Sequence, residues 1–404
     1  MQKKIIGIFV CIILITGAFV LVPRIMSIAN RTSDSYCYNM QSGFTTLISD
    51  GNDVIEVNDN GEMVWDYLLG SIDSERLENG NTLIGSGLLV KEIDFLGNTV
   101  WLYGTDLLVV SDVERLENNN TLITDFSKNF VREVDFNFSI VWEITGLSSP
   151  MDAERLENGN TLIVNNLNGR VIEVDNSCNI VWEYASGVGS GPTDAERLSN
   201  SNTLITEQLN DRVIEVDSSG NIVWELTGLA KPRDAERLEN GNTLIVEFNN
   251  HSVIEVDNAG NVVWSYQEDL YNPNDAERLP NYDPLIPDIT GPDNGRVNIP
   301  YSYIITGEDP NGYYIFYWVD WGDGLNTGWR GPYLSGTPTT PQTHCWTTKG
   351  IYTIKAKIKD VCDVESDWAS FEITIPRNKA FLTSQPILQW FFERFPILKH
   401  LMGN

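Results

Sequence analysis

Apolar and polar positions repeat along most of the chain in a pattern typical of short strands. One copy of this pattern, DAERLENGNTLIVNNLNGRVIEVDNSCNIVWEY, begins at Asp152 and ends at Tyr184. Turn residues divide the copy into four apolar runs, which are Ala153–Leu156, Thr161–Val164, Val171–Val174 and Ile180–Tyr184. Val and Ile favour strands, and Asn158-Gly159 suits a tight hairpin because both residues tolerate a positive φ. The pattern therefore predicts four antiparallel strands per copy.

The same unit occurs six times, at intervals of about 40 residues. Its tryptophan recurs at Trp65, Trp101, Trp142, Trp182, Trp224 and Trp264. Its Glu-Arg-Leu segment begins at Glu75, Glu114, Glu154, Glu196, Glu236 and Glu277. Four short strands per unit, repeated six times, are the signature of β-propeller blades. The sequence predicts an all-β fold with six blades.

The two ends of the repeat array complement each other. The chain enters the array at Thr46-Leu47-Ile48, which matches the second strand of the unit, and leaves it at Asp275–Leu279, which matches the first strand. The N-terminal end therefore supplies three strands of a blade and the C-terminal end supplies the fourth. Pairing of these strands would remove the last open edge, so we predict a closed six-bladed β-propeller.

Each unit begins with Asp-x-Glu-Arg-Leu, and adjacent residues of a strand point to opposite faces. In a ring, the Glu face of one blade meets the Arg face of the next. We therefore expect inter-blade ion pairs that join Glu75 to Arg115, or Arg76 to Glu114, and likewise around the ring. The residues concerned are Glu75, Arg76, Glu114, Arg115, Glu154, Arg155, Glu196, Arg197, Glu236, Arg237, Glu277 and Arg278.

A recurring aspartate lies where the chain enters each innermost strand. These residues are Asp73, Asp112, Asp152, Asp194, Asp234 and Asp275. One interpretation is that each carboxylate caps a turn; the other is that together they form an acidic channel mouth that binds a divalent cation or a cationic group. Apart from such a cation, no cofactor is expected. Arg233, at the same mouth, has the chemistry to bind a sulfate or carboxylate.

The VIEVD-x-x-GN-x-VWE and DAERLxNGNTLI segments resemble quinoprotein-type, arylsulfotransferase-like propellers of archaea and bacteria, over roughly Thr46–Leu279. The resemblance implies sulfate transfer between phenols through a covalent sulfo-histidine in the channel. Many members carry histidine just before the repeated aspartate, where this chain has Ile72, Ser111, Met151, Thr193, Arg233 and Asn274. His251 falls in the turn before a third strand, so it is a turn residue and a weak catalytic candidate.

A second domain follows a linker rich in proline and glycine. Its predicted strands are Tyr301–Thr306, Tyr313–Asp320, Tyr352–Lys359 and Ser370–Ile375. The segment YWVDWGDG, beginning at Tyr317, resembles the turn of polycystic-kidney-disease (PKD) domains and implies an immunoglobulin-like β-sandwich. Trp318 and Trp321 either pack in this domain or stack on sugar. The register expected for the closing hairpin places Cys345 and Cys362 too far apart for a disulfide.

Both ends of the chain carry apolar segments. Lys3 and Lys4 precede the apolar run Ile5–Val22, which predicts an export signal that is cleaved near Ala29 or kept as a membrane anchor. The C-terminal tail predicts a short amphipathic helix that packs on the protein or docks on a membrane or partner. The predicted division is 1–29 signal or anchor, 36–283 propeller, 284–290 linker, 288–377 PKD-like sandwich and 378–404 tail.

Composition narrows the functions. The 404 residues contain 56 Asp and Glu against 27 Lys and Arg, a net charge of −29, which argues against a nucleic-acid partner. We expect an exported, extracellular or cell-surface binding protein whose partner is an extracellular protein, a glycan or a small anionic or phenolic ligand. The alternatives are an arylsulfotransferase-like enzyme, for which only three histidines are available, and a carbohydrate-binding surface protein.

Overall fold

A computed structural model describes residues 44–187, 189–280 and 282–375. The predicted export signal or anchor and the predicted C-terminal helix lie outside these residues. The regular secondary structure of the described chain consists of β-strands and three single 3-10 turns at Asn166–Asn168, Gln208–Asn210 and Phe248–Asn250. No helix in the described ranges is long and apolar enough to cross a membrane.

The repeat region forms six four-stranded antiparallel sheets. The first three strands are β1 (Phe44–Asp50), β2 (Val54–Asn58) and β3 (Met63–Tyr67). The next sheet holds β4 (Asp73–Arg76), β5 (Thr82–Ser86), β6 (Leu89–Ile93) and β7 (Thr99–Tyr103). It is followed by β8 (Val110–Arg115), β9 (Thr121–Asp125), β10 (Phe130–Val134) and β11 (Ile140–Thr145).

Three further sheets continue the array in the same order. One holds β12 (Pro150–Arg155), β13 (Thr161–Asn165), β14 (Arg170–Val174) and β15 (Ile180–Ala185). Another holds β16 (Pro192–Arg197), β17 (Thr203–Glu207), β18 (Arg212–Val216) and β19 (Ile222–Thr227). The last holds β20 (Pro232–Arg237), β21 (Thr243–Glu247), β22 (Ser252–Val256) and β23 (Val262–Tyr266).

The sheet of β1–β3 takes its fourth strand from the other end of the array. Strand β24 (Pro273–Pro280) pairs with β1 in antiparallel register, with Leu47 opposite Glu277 and Ile48 opposite Ala276. The resulting strand order is β24-β1-β2-β3. The pairing expected between the two ends of the array is therefore present, and the innermost strand of this sheet is the last strand of the repeat region.

Two turns recur in these sheets for local reasons. In the Asn-Gly hairpin, Gly159 adopts φ 83° and the Asn158 side chain accepts a hydrogen bond from Asn160 N at 2.8 Å. In the Asp-x-x-Gly-Asn hairpin, the Asp217 carboxylate accepts hydrogen bonds from the backbone N–H groups of Ser219 and Asn221. These side chains satisfy turn backbone groups that the ladder leaves free. Both motifs therefore stop one strand and start the next at a fixed register.

Apolar side chains fill the seams between successive sheets. One cluster joins Leu162 and Val164 of one sheet to Ala195, Ile205 and Ile214 of the next. Equivalent clusters occur between other neighbouring sheets. Because both faces of a sheet pack on a neighbour, the second strands are buried along their whole length, as in Thr161–Asn165, rather than at alternate positions.

The second domain has two facing sheets. Their strands are β25 (Asp288–Thr290), β26 (Tyr301–Thr306), β27 (Ile315–Asp320), β28 (Arg330–Tyr333), β29 (Gln342–His344), β30 (Gly350–Lys359) and β31 (Ala369–Ile375). The strand orders are β25-β26-β29 and β28-β27-β30-β31. Tyr303, Tyr317, Trp321 and Trp346 fill the space between the sheets. Trp321 thus belongs to the core, whereas Trp318 is half-buried on the other face and packs edge-on against Trp329.

Strand β27 begins two residues later than the sequence pattern predicts. The backbone N–H of Tyr313 donates to the Asp309 carboxylate at 3.2 Å instead of joining the sheet. The ring of Tyr313 is buried with Leu47, Trp65 and Phe95 of the repeat region. A side chain counted as a strand position therefore belongs to the junction between the two domains.

Candidate functional site

Acidic side chains of the six innermost strands line one cavity of about 350 Å³. Asp and Glu are two positions apart in each unit, so the pleat of the strand sends both to the same face. The side chains that line the cavity are six Asp, six Glu and the small residues between them, Ser74, Val113, Ala153, Ala195, Ala235 and Ala276. None of these lining residues carries a positive charge.

Each aspartate of this cavity also links its sheet to the next one. Asp152 Oδ2 accepts a hydrogen bond from the backbone N–H of Ala195 at 3.1 Å, and Asp275 Oδ2 accepts one from Ser74 N at 3.3 Å. The remaining donor-to-acceptor pairs are Val113 N to Asp73, Ala153 N to Asp112, Ala235 N to Asp194 and Ala276 N to Asp234. Each of these hydrogen bonds joins one sheet to the next sheet along the chain, except the bond between Ser74 and Asp275, which joins the sheet that contains β24 to the sheet of β4–β7.

The glutamates form a second level of the same kind. Glu154 Oε2 accepts from the backbone N–H of Arg197 at 2.8 Å, and Glu277 Oε2 accepts from Arg76 N at 2.9 Å. The other pairs are Arg115 N to Glu75, Arg155 N to Glu114, Arg237 N to Glu196 and Arg278 N to Glu236. Every carboxylate of the cavity thus gives one oxygen to the neighbouring blade.

The arginine side chains find a different partner from the one expected. Glu75 meets Arg115 only through the backbone, while the guanidinium of Arg115 binds Glu92 on β6 at 2.8 Å. The other ion pairs are Arg76–Glu56, Arg155–Glu133, Arg197–Glu173, Arg237–Glu215 and Arg278–Glu255. The expected Glu–Arg pairing is therefore corrected: the strand pleat turns each arginine away from the channel and into the seam between sheets.

Tryptophan completes each seam. The guanidinium of Arg197 lies 4.9 Å from the ring centroid of Trp182, and Trp182 Nε1 donates to Ser218 O of the next sheet. The same arrangement holds for Arg76 on Trp65, Arg115 on Trp101, Arg155 on Trp142, Arg237 on Trp224 and Arg278 on Trp264. The third-strand glutamate was the partner that sequence reasoning missed, although it recurs in every copy as the Glu of Val-x-Glu-Val or its equivalent.

Burial and mutual repulsion make the channel carboxyls hard to ionise. Burial raises the pKa of Glu75 to about 7 and that of Glu277 to about 8. Burial, followed by the charges of Asp112 and Asp194, raises the pKa of Asp152 well above its usual value. The hydrogen bond from the neighbouring backbone opposes these shifts without cancelling them. Removing water and placing like charges together both favour the neutral acid of these carboxyls.

A smaller cavity of about 140 Å³ lies at the aspartate end and contains Arg233. The guanidinium of Arg233 lies 3.9 Å from the ring centroid of Phe248 and donates to the side chain of Asn274. Its buried Nε has no hydrogen-bond partner among the described residues, and burial lowers its pKa. Arg233 therefore lines the same small cavity as the six aspartates.

His251 is outside the channel. It has φ 51° and closes the turn Phe248–Asn250, and its ring lies 6.5 Å from that of Tyr271. It is not among the residues that line either channel cavity. The structure does not bring this weak catalytic candidate into contact with the aspartates. Within the described ranges, no group of three or more His, Cys, Asp or Glu is arranged to hold a metal ion.

Comparisons with known proteins support the fold. No protein-family model and no curated protein match the chain. Its fold is similar to that of a protein of unknown function from Bacteroides caccae, with 17% identity and a TM-score of 0.53 over 59% of this chain and 99% of that one. It is also similar to the WD40 β-propeller domain of Doa1, with 11% identity and a TM-score of 0.46 over 67% of this chain and 87% of that one.

A further match concerns a smaller part of the chain. The PKD domain of an M14-like peptidase from Thermoplasmatales archaeon SCGC AB-540-F20 is 43% identical, with 24% of this chain and 99% of that domain covered and a TM-score of 0.23. The described chain is all-β with propeller-like sheets, and about a quarter of the chain is similar to a PKD domain.

Proposed function

We propose that this protein is an exported binding or interaction protein. Its repeat region forms a closed six-bladed propeller, and the acidic mouth of the channel receives a cationic group of the ligand. The PKD-like domain serves as a spacer or adhesion module. Strand pairing between the two ends of the array and the links from Asp275 and Glu277 to the first full unit support closure. The charged N-terminus followed by an apolar run supports export.

The observation that carries the proposal is the concentration of carboxyl groups in one cavity. Twelve carboxyls line one cavity, each gives one oxygen to a backbone N–H, and no cationic side chain is among the lining residues. An ammonium or a guanidinium that enters would turn mutual repulsion into attraction in a partly desolvated site. The channel therefore suits a positively charged group, such as a lysine or arginine of a partner protein.

Titration calorimetry with spermidine, a small polycation, tests this proposal. We expect binding at pH 8 and at least a tenfold loss of affinity in Asp152→Asn/Asp234→Asn, because two of the six mouth charges are removed. The matched control is Asp217→Asn/Asp257→Asn, which removes the same charge from exposed hairpin turns and should leave the affinity unchanged. Equal losses of spermidine affinity in both double variants would show that binding depends only on the net charge of the protein, and would refute a channel site.

A second candidate function is sulfate transfer at the mouth. The observation that favours it is the position of Arg233, whose buried Nε is unpaired beside the channel and can bind a sulfate group. An arylsulfotransferase-like enzyme would move a sulfuryl group from an aryl sulfate to the oxygen of a phenol. Transfer from nitrophenyl sulfate to phenol that is lost in Arg233→Gln would support this function. Absence of transfer by the wild type would leave the binding role.

A further inference from the structure

Five of the six sheets share a polar layer on their third strand. In each, Oε1 of the glutamate accepts a hydrogen bond from an asparagine of the first hairpin. Oε2 of the same glutamate forms an ion pair with the arginine on the first strand of the next sheet. The amide-to-carboxylate pairs are Asn81–Glu92, Asn120–Glu133, Asn160–Glu173, Asn202–Glu215 and Asn242–Glu255, at 2.6–2.7 Å. The layer satisfies a glutamate that is almost fully removed from water.

In the sixth sheet, whose first and second strands come from opposite ends of the array, Thr45 occupies the register position of this asparagine. The glutamate of this sheet, Glu56, is fully buried. Glu56 Oε2 binds Arg76 as in the other sheets, whereas Oε1 accepts from Thr45 Oγ1 at 2.6 Å and from the hydroxyl of Tyr313. Tyr313 belongs to the PKD-like domain, 257 positions away in the sequence.

Further contacts hold the same junction. The rings of Tyr313 and Tyr314 meet Phe95 edge-on, with centroids 5.9 and 5.5 Å apart. Asn311 Nδ2 donates to Pro280 O at 2.7 Å, and Cys362 and Val364 pack in the same apolar cluster as Phe95. This cluster continues the core of the repeat region without interruption, so the junction has the character of a domain core.

We infer that the PKD-like domain is a fixed part of the propeller, in which the Tyr313 hydroxyl adds a second donor to Glu56 Oε1 beside Thr45. The two domains then unfold as one unit and keep one relative orientation. Burial and the neighbouring Glu56 raise the pKa of Tyr313 well above its usual value, so the hydroxyl stays protonated and able to donate. The inference goes beyond the proposed binding function and does not depend on the ligand.

The strand directions add a consequence for orientation. The inner strand runs from Asp275 at the mouth to Arg278 and Pro280, where the PKD-like domain begins, so this domain sits at the end opposite the mouth. Strand β30 runs toward the junction and β31 runs back, with Ile375 opposite Gly350. At about 3.3 Å per residue, Ile375 lies roughly 30 Å along the sheet from Lys359. The PKD-like domain thus acts as a rigid spacer between the acidic mouth and Ile375, the last residue that the structure describes.

Scanning calorimetry of the full chain tests the inference. The wild type should show one transition whose calorimetric and van't Hoff enthalpies agree. Tyr313→Phe keeps the ring but leaves Oε1 of Glu56 with Thr45 as its one remaining donor, and we expect it to lower Tm by about 2 °C or more. The matched control Tyr314→Phe alters a tyrosine that contacts the same Phe95 and whose hydroxyl makes no hydrogen bond within the described residues; it should change Tm by less than 1 °C.

Two results would overturn the inference. Separate transitions for the two domains in the wild type would show that the junction does not couple their folding. Equal shifts in Tyr313→Phe and Tyr314→Phe would show that the hydroxyl bond to Glu56 contributes nothing specific. If the Tm shift of Tyr313→Phe is too small to measure, Tyr313→Ala/Asn311→Ala should split the single transition into two. A transition that stays single in this double variant would contradict the proposed role of the contact.

Discussion

At the scale of single residues, each channel carboxylate combines a favourable bond with an unfavourable charge. Asp152 accepts the backbone N–H of Ala195, yet its pKa is raised by burial and by the charges of Asp112 and Asp194. The bond needs only an oxygen acceptor, whereas the repulsion needs the charge. The two contributions can therefore be separated by substitution.

Asp152→Asn should raise stability at pH 8, because the amide oxygen can still accept from Ala195 while one charge leaves the ring. Asp152→Ala should be less stable than Asp152→Asn, since it leaves a backbone donor unpaired, at a cost of about 1–3 kcal/mol. A difference of that size corresponds to roughly 1–4 °C in Tm for a chain of 404 residues. Thermal unfolding followed by circular dichroism measures both. An Asn variant that melts with the Ala variant would contradict this separation.

At the scale of the structural element, the seam between blades depends on a buried ion pair under a tryptophan. Arg197 and Glu173 leave 18% and 9% of their side chains exposed, and they lie on different sheets. Removing one partner of such a pair leaves the other charge buried and unpaired, whereas replacing both partners can leave the free energy of unfolding nearly unchanged. We therefore expect the pair to determine which sheet faces pack together and to contribute little to the net free energy of unfolding.

Arg197→Met should therefore lower the free energy of unfolding by about 3 kcal/mol, and Arg197→Met/Glu173→Gln should recover most of that loss. Urea unfolding of the single and double variants measures the coupling. The surface pair Arg170–Glu183, which joins strands of one sheet, is the control and should give a coupling below about 1 kcal/mol. Simple additivity at Arg197 and Glu173 would refute a coupled seam.

The seam also shows where prediction from sequence succeeds and where it stops. The four apolar runs predicted in the copy that begins at Asp152 coincide with β12–β15 to within about three residues, because turn residues and strand propensity are local. The same pattern predicts that Glu154 and Arg155 face opposite ways, as they do. It does not reveal that Arg155 meets Glu133, because that contact depends on how two sheets stack. Tyr313 was missed for the same reason: its partner, Glu56, lies in the other domain.

At the scale of the whole molecule, the acidity has a defined location. Part of the net charge of −29 is concentrated in the channel, where burial raises the pKa of Glu75 and Asp194 to about 7 and that of Glu114 to about 8. Between about pH 4 and pH 8, the folded protein therefore binds more protons than the unfolded chain. By linkage, the free energy of unfolding falls as the pH rises through this window.

Tm should accordingly be higher at pH 5 than at pH 8 in low salt and without polycations, by about 5 °C or more, since several carboxyls lose stability through this window and 1 kcal/mol is worth roughly 1 °C in a protein of this size. Exposed turn aspartates such as Asp217, whose pKa is lowered by hydrogen bonds from Asn221, give the opposite trend only below about pH 4. A Tm that rises from pH 5 to pH 8 would show that the channel carboxyls are not held in their neutral form.

The claim that the channel receives a cationic group is tested most directly by the protons it releases. Carboxyls with a raised pKa must ionise when a cation enters, so spermidine binding at pH 7 should release protons into the buffer. Calorimetric titrations in two buffers with different ionisation enthalpies measure this number. We predict a net release of about one proton or more in the wild type and clearly less in Asp152→Asn/Asp234→Asn. Spermidine that fails to bind, or binds without proton release in either protein, would contradict the account.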